Sequence, residues 1–268
     1  MTDNILFAFA LTLFAGLSTG VGSIIGLLSK EFNPKVLTIS LGFSAGVMIY
    51  VAMIEIIVKA RESLVVGIGA EMGKVVTVLS FFAGIFLIAL IDKLIPSYEN
   101  PHELNVAQKL EECSENQKKK LMRMGLFSAL AIGIHNFPEG LATFMGALSN
   151  PTLGVSIAVA IAIHNIPEGL AVSAPIFYAT QSRKKAFVLS FLSGLAEPVG
   201  AFIGYFLLRS FFSPSLFGIV FGAVAGIMVY ISLDELLPAA EEYGEHHFAI
   251  GGVIAGMVVM AISLLLFT

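Results

Sequence analysis

Apolar segments long enough to cross a lipid bilayer recur along the whole of this 268-residue chain. A helix needs about 20 predominantly apolar residues to span roughly 30 Å of hydrocarbon. Windows of that length occur at residues 5–28, 35–58, 73–95, 124–148, 154–179, 186–210, 216–239 and 248–267. A content of 57% hydrophobic and 13% charged residues argues against a soluble globular domain. The sequence therefore predicts an all-α membrane protein with eight transmembrane helices.

One connection between these segments is much longer than the others. Residues 96–123, PSYENPHELNVAQKLEECSENQKKKLMR, are charged and nearly free of aromatic side chains, which predicts a flexible, solvated loop. The loop contains the single cysteine, Cys113, so the chain has no pair of cysteines for an internal disulfide. Residues 1–28 lack a basic segment before their apolar stretch, so no cleaved signal peptide is predicted. We expect residues 1–268 to form one integral membrane domain.

The basic residues indicate the orientation of the chain in the cell membrane. With the N-terminus outside, the cytoplasmic connections contain Lys30, Lys35, Lys93, Lys109, Lys118, Lys119, Lys120, Arg123, Arg183, Lys184 and Lys185. The basic residues left on the outer side are Lys59, Arg61, Lys74 and Arg209. Because cytoplasmic loops of membrane proteins carry an excess of Lys and Arg, both termini are predicted to lie outside.

Two pairs of segments repeat between the first and the last parts of the chain. GFSAGVMIYVAMIEI at 42–56 matches GAVAGIMVYISLDEL at 222–236, and GLSTGVGSIIG at 16–26 matches GLAEPVGAFIG at 194–204. The first helix corresponds to the sixth, and equivalent helices cross the membrane in opposite directions. The sequence thus predicts an inverted repeat of helices 1–3 and 6–8 around a central pair, an architecture typical of secondary transporters.

The two central helices share a motif of their own, AIGIHNFPEGLA at 131–142 and AIAIHNIPEGLA at 160–171. Its polar residues are His135, Asn136, Glu139, His164, Asn165 and Glu168. Histidine and glutamate are four residues apart in each copy, so the imidazole and the carboxylate share one helix face. Pro138 and Pro167 interrupt the backbone hydrogen bonds and predict kinks. Because freed carbonyls are tolerated only inside protein or beside a cavity, we expect the two helices to meet there.

Six carboxylates of the predicted spans are candidates for the site or the pathway, and no Lys or Arg lies at a comparable depth to pair with them. They are Glu55, Glu139, Glu168, Glu197, Asp234 and Glu235. At roughly 3 kcal/mol each on insertion scales, this set would cost on the order of 15 to 20 kcal/mol if it faced lipid. Bound divalent cations compensate this cost most economically, since imidazoles and amides stand beside the acids. The proline of GLAEP directs Glu197 toward the same region, whereas Glu55, Asp234 and Glu235 are predicted to line the pathway.

The kinds of ligand indicate the kinds of metal. Imidazole and carboxylate without thiolate favour Zn²⁺, Fe²⁺ or Mn²⁺ and argue against Cu(I). Zinc is the favoured ion, with Fe²⁺, Mn²⁺ and Cd²⁺ as competitors, and neither a prosthetic group nor a nucleic-acid partner is predicted. His246 and His247 are expected to be bystanders in a loop, the alternative being that they receive metal on the cytoplasmic side.

These residues resemble the ZIP (Zrt-, Irt-like) family of divalent metal transporters, in particular its compact bacterial branch. The resemblance covers essentially the whole chain and is carried by HNFPEG, HNIPEG, GLAEP and the DELLP segment at 234–238. It implies metal uptake by a homodimer in which helices one, four, five and six move against the other four. It implies two metal positions. The first would use His135, Glu139, His164, Glu168 and Glu197, and the second Asn136 and Asn165 with the shared Glu139 and Glu168 and with Glu197 as a further candidate.

Two features depart from the family pattern. Many members carry a histidine-rich stretch between helices three and four, whereas this chain has His102 alone there. Members often place histidine before glutamate in the seventh helix, whereas this chain has Asp234 and Glu235. An auxiliary site at this position would therefore be harder and richer in oxygen.

An enzyme is the main alternative, because membrane di-iron oxidases also place carboxylates and histidines on a helix bundle. Their usual signature is Glu-x-x-His, while this chain has His-x-x-x-Glu. The sequence contains no HExxH, which argues against an intramembrane zinc protease. A proton-coupled carrier of organic cations would leave the two imidazoles unexplained.

Overall fold

The computed structural model describes residues 2–28, 34–94, 115–211, 213–243 and 245–267, and the regular secondary structure in these ranges is helical throughout. A helical run that continues through a π-helical segment, or through the single turn residue Leu195, carries one label. The runs are α1 (Thr2–Leu28), α2 (Pro34–Val51, Ala52–Ile56 and Ile57–Ile68), α3 (Ala70–Leu94), α4 (Glu115–Ser149), α5 (Pro151–Thr180), α6 (Arg183–Gly194 and Ala196–Leu208), α7 (Pro214–Ile231, Ser232–Leu236 and Leu237–Tyr243) and α8 (His246–Phe267).

The second helix is longer than the sequence predicts. Its apolar run ends near residue 58, but α2 continues to Ile68, and Gly69 alone separates it from α3. Lys59 and Glu62 lower the hydropathy of this part without ending the helix, since they form an ion pair one turn apart at 3.2 Å. The helix ends where Gly69 adopts φ 87°, a conformation that glycine adopts readily.

The fourth helix begins earlier than expected. It starts at Glu115 rather than at residue 124, so the prediction of a loop over 96–123 is wrong for residues 115–123. These residues are polar but consist largely of good helix formers such as Lys, Gln, Leu and Met. Residues 95–114, with His102 and Cys113, lie outside the described ranges.

Two π-helical segments occur that the sequence analysis does not predict. Ala52–Ile56 in α2 contains Glu55, and Ser232–Leu236 in α7 contains Asp234 and Glu235. Each therefore carries the acidic residues that were assigned to the pathway. Segments of this kind are rare and occur frequently at functional sites.

Within the described ranges, seven helices are long and apolar enough to cross a membrane, namely α1, α2, α3, α5, α6, α7 and α8. The other long helix, α4, contains one copy of the central motif. It packs against α5, α6 and α1, while α5 packs against α1, α4 and α2. Large apolar side chains face outward elsewhere, as Phe86 and Leu265 do with 69% and 78% exposure. The two motif helices thus lie within the bundle.

Candidate metal site

The packing of α4 against α5 brings the two copies of the central motif face to face. His135 Nε2 lies 3.3 Å from Glu168 Oε2, and His164 Nε2 lies 3.4 Å from Glu139 Oε2. Each histidine therefore contacts the glutamate of the other copy. These four side chains are at most 1% exposed. The imidazoles and carboxylates partner each other across the helix interface, where burial without a partner would be costly.

The two motif asparagines are anchored to neighbouring helices. Asn136 Nδ2 donates to the main-chain carbonyl of Ser193 in α6 at 3.2 Å. Asn165 Nδ2 donates to the main-chain carbonyl of Ala15 in α1 at 2.9 Å. Both side chains are fully buried, and both Oδ1 atoms lack a hydrogen-bond partner. The anchoring of the amide nitrogen thus leaves the amide oxygen available to a ligand.

Glu197 joins the motif residues from α6. The side chain is fully buried, and its Oε1 accepts a hydrogen bond from Asn165 Nδ2. The backbone around Glu197 approaches α4 so closely that a Cβ on Gly140 would overlap the main-chain carbonyl of Glu197. Gly140 belongs to the HNFPEG sequence, so the glycine of the motif permits the close approach that brings this third carboxylate to the site.

Six of the seven predicted ligands carry a buried polar atom without a hydrogen-bond partner. These atoms are His135 Nδ1, Asn136 Oδ1, Glu139 Oε1, His164 Nδ1, Asn165 Oδ1 and Glu197 Oε2. Each such atom costs about 1–3 kcal/mol of desolvation that is not compensated. Unsatisfied buried groups are few in a native protein and point to a functional use when they cluster.

The described residues contain no group of three or more His, Cys, Asp or Glu side chains arranged to hold a metal ion. In the imidazole and carboxylate contacts, one oxygen of each glutamate is directed at a histidine of the other copy. The predicted histidine and glutamate ligands are therefore neighbours in the structure, joined by one imidazole–carboxylate contact in each pair.

The residues predicted for the pathway lie in different surroundings. Glu235 interacts electrostatically with His135 and Glu168, so it extends the polar cluster toward α7. Asp234 forms a hydrogen bond with Tyr230. Glu55 instead interacts with Lys59 and with Glu62 further along α2. His246 Nδ1 lies 2.6 Å from Glu241 Oε1 in an exposed pair, and His247 is exposed as well.

One polar residue beside the motif was missed by the sequence analysis. Ser44 in α2 is fully buried, and its hydroxyl lies 3.3 Å from the His164 main-chain carbonyl and 3.5 Å from Glu168 Oε1. A serine in a run of small and apolar residues carries no chemical signal by itself. Its repeat counterpart is Val224, and this difference between the two halves is the signal that singles it out.

Comparison with known proteins assigns the family. A family model of the ZIP zinc transporters matches residues 92–264. The chain belongs to the ZIP family. It is 97% identical over 268 residues to the zinc transporter ZupT of Chlorobium chlorochromatii (strain CaD3), with 100% of both chains covered. It is also 74% identical over 267 residues to the zinc transporter ZupT of Chlorobaculum parvum (strain DSM 263 / NCIMB 8327), again with 100% of both chains covered.

A more distant relative supports the same assignment. The zinc transporter ZupT of Clostridium perfringens (strain 13 / Type A) is 60% identical over 277 residues, which cover 99% of this chain and 97% of the relative. Membership in the ZIP family makes this chain a transporter rather than an enzyme, so the oxidase alternative is set aside. With its apolar helices, it is a multi-pass membrane protein.

Proposed function

We propose that this protein carries divalent transition-metal ions, zinc foremost, across the cell membrane into the cell. The observation that carries the proposal is the buried cluster of imidazole, amide and carboxylate groups in α4, α5 and α6, with six donor atoms left unpaired. Nitrogen and carboxylate oxygen are ligands that Zn²⁺ accepts, and Fe²⁺, Mn²⁺ and Cd²⁺ are the expected competitors. The relatives named as zinc transporters support the choice of ion.

The metal positions in this proposal use the residues of the doubled motif. The first position takes His135, His164, Glu139, Glu168 and Glu197 as ligands. The second takes Asn136 and Asn165 with the shared glutamates, and the free Oδ1 atoms of both asparagines support it. An arriving cation competes with the imidazoles for the carboxylate oxygens, so the contacts between His135 and Glu168 and between His164 and Glu139 open on binding.

The proposed architecture has eight spans, with α4 as the additional one. Its support is the position of α4 between α5, α6 and α1, because the motif helix α5 it packs against is itself apolar enough to cross a membrane. The half of α4 before the motif includes the basic Lys118, Lys119, Lys120 and Arg123 and belongs to the cytoplasmic side in this proposal. Both termini then lie outside.

An inverted repeat is supported by contacts that recur at corresponding positions. Asn136 contacts Ser193 in α6, and Asn165 contacts Ala15 in α1. Alignment of GLSTGVGSIIG with GLAEPVGAFIG pairs Ala15 with Ser193, so the two contacts are equivalent in the repeat. The π-helical segments Ala52–Ile56 and Ser232–Leu236 also correspond, since they align Glu55 with Glu235.

In this proposal the pathway acids lie on opposite sides of the membrane. Because repeated helices run in opposite directions, Glu55 faces the outer half of the path and Glu235 the inner half. Glu235 interacts electrostatically with His135, and Asp234 stands next to Glu235 in α7, so the two acids support an exit route along this helix.

His246 and His247 remain candidates for receiving the ion on the cytoplasmic side. The functional unit is proposed to be a homodimer.

Metal flux into liposomes tests the proposed function. Purified protein is reconstituted into vesicles that contain a fluorescent chelator, and Zn²⁺, Cd²⁺, Fe²⁺, Mn²⁺, Mg²⁺ and Ca²⁺ are added in turn. We expect zinc to enter and the other transition metals to compete, while Mg²⁺ and Ca²⁺ prefer shells of oxygen ligands and stay outside. Empty vesicles and vesicles with Glu168→Gln protein serve as controls. A zinc flux no faster than in empty vesicles would refute the proposal.

A further inference from the structure

The hydroxyl of Ser44 reaches the candidate metal site from a helix that supplies none of the proposed ligands. It lies on α2, is fully buried, and approaches both the His164 carbonyl at 3.3 Å and Glu168 Oε1 at 3.5 Å. One side chain therefore touches the backbone at the motif histidine and the carboxylate of the motif glutamate. A hydroxyl proton shared between these acceptors fixes the two relative to α2.

The contacts of Ser44 make the two motif glutamates unequal. Both carboxylate oxygens of Glu168 have a partner, since His135 contacts Oε2 and Ser44 contacts Oε1. Glu139 has His164 at Oε2, while its Oε1 is buried without a hydrogen-bond partner. The residue of α7 that corresponds to Ser44 in the repeat is Val224, which has no hydroxyl to offer.

We propose that Ser44 is a positioning residue that holds the Glu168 carboxylate in its ligating orientation, leaving Glu139 as the carboxylate that turns to close around the ion. The inference rests on the proposed function and deepens it, because it assigns different tasks to two residues that the sequence motif makes equivalent. Glu168 keeps its orientation on metal binding, and its contact with His135 opens by movement of the imidazole. Glu139 has a free oxygen and no second restraint, so it can rotate toward the ion.

Removal of the hydroxyl should weaken metal binding without slowing the transport step. In Ser44→Ala, Glu168 gains rotational freedom, and both the KM for zinc flux and the Kd for zinc should rise about three- to tenfold, the range of one lost hydrogen bond. The maximal flux should stay within about twofold of the wild type, since the lost contact acts on ground-state binding. Zinc binding is measured by calorimetry on the full chain in detergent, independently of transport.

A matched control separates positioning from a general effect of losing a buried hydroxyl. Ser80 in α3 is also buried, and its hydroxyl donates to the Thr77 carbonyl at 3.0 Å within its own helix. Ser80→Ala should leave both KM and Kd unchanged. Ser44→Val, which installs the residue found at the repeat counterpart Val224, also removes the hydroxyl without adding a zinc ligand. It should reproduce the loss of affinity, which decides the question if Ser44→Ala folds poorly.

The outcomes distinguish the inference from the function on which it rests. Higher KM and Kd values in the Ser44 variants, with the Ser80 control unaffected, support the positioning role. Unchanged affinity in folded Ser44 variants of a protein that transports zinc would overturn it and leave the proposed function intact. An equal loss in the Ser80 control would overturn it too. A wild-type chain that neither binds nor transports zinc would remove both.

Discussion

His135 Nε2 lies 3.3 Å from Glu168 Oε2, although the two residues belong to different copies of the motif and to different helices. The reciprocal pair, His164 and Glu139, has nearly the same spacing at 3.4 Å. The two copies of the motif thus form one buried polar cluster, in which each histidine contacts the glutamate of the other copy. A substitution in either helix should therefore disturb ligands on both.

The shared carboxylates give the first prediction. Glu139→Gln or Glu168→Gln removes a negative charge that both proposed metal positions use, so each change should abolish zinc flux. Asn136→Ala combined with Asn165→Ala should weaken flux without abolishing it, because it empties the second position only. Glu62→Gln is the control, since Glu62 is exposed and paired with Lys59. In a zinc-soaked crystal, two ions too far apart to share a carboxylate would contradict a site in which both metal positions use Glu139 and Glu168.

Selectivity should follow the two imidazoles. Replacing both His135 and His164 by Asp converts a borderline site into one of oxygen ligands, which should shift the preference from Zn²⁺ toward Mn²⁺ or Fe²⁺. Competition of these ions with zinc in reconstituted vesicles measures the shift. If the double variant still folds and transports but keeps the wild-type preference for Zn²⁺, the two histidines are not metal ligands.

Some features of this candidate site could be predicted from the sequence, and others could not. The candidate ligands on α4, α5 and α6 could be predicted because ionisable groups in apolar helices are costly and because they are repeated. The contact between His135 and Glu168 could not be predicted. The spacing of four residues places a histidine and a glutamate on one face of one helix, and it carries no information about which residue of the neighbouring helix they meet. The α2 extension beyond residue 58 was missed because hydropathy, which falls at Lys59 and Glu62, does not mark where a helix ends.

The orientation can be tested with two exposed positions. Glu71 at the start of α3 and Lys184 at the start of α6 are both exposed, and the predicted topology puts them outside and inside, respectively. In a Cys113→Ser background, Glu71→Cys should react with an impermeant thiol reagent added to intact cells, whereas Lys184→Cys should react only after the membrane is permeabilised. If Lys184→Cys were labelled in intact cells and Glu71→Cys were not, the orientation of the chain would be opposite to the predicted one.

The close approach of α6 to α4 at Gly140 gives the last prediction. A Cβ at this position would overlap the main-chain carbonyl of Glu197, so Gly140→Ala should force the helices apart and cost about 1–3 kcal/mol of stability. It should also weaken zinc flux, because Glu197 moves away from Asn165 and the motif glutamates. Gly251→Ala in α8 is the matched control.

Gly251 is helical, and an added Cβ there would meet nothing within 4 Å. Its replacement by alanine should therefore leave flux unchanged and the melting temperature unchanged or slightly higher, since alanine is the better helix former. Thermal unfolding in detergent and flux in vesicles, measured on both variants, compare the two glycines directly. If Gly140→Ala melted and transported like Gly251→Ala, the contact between α4 and α6 would not be what holds Glu197 at the site.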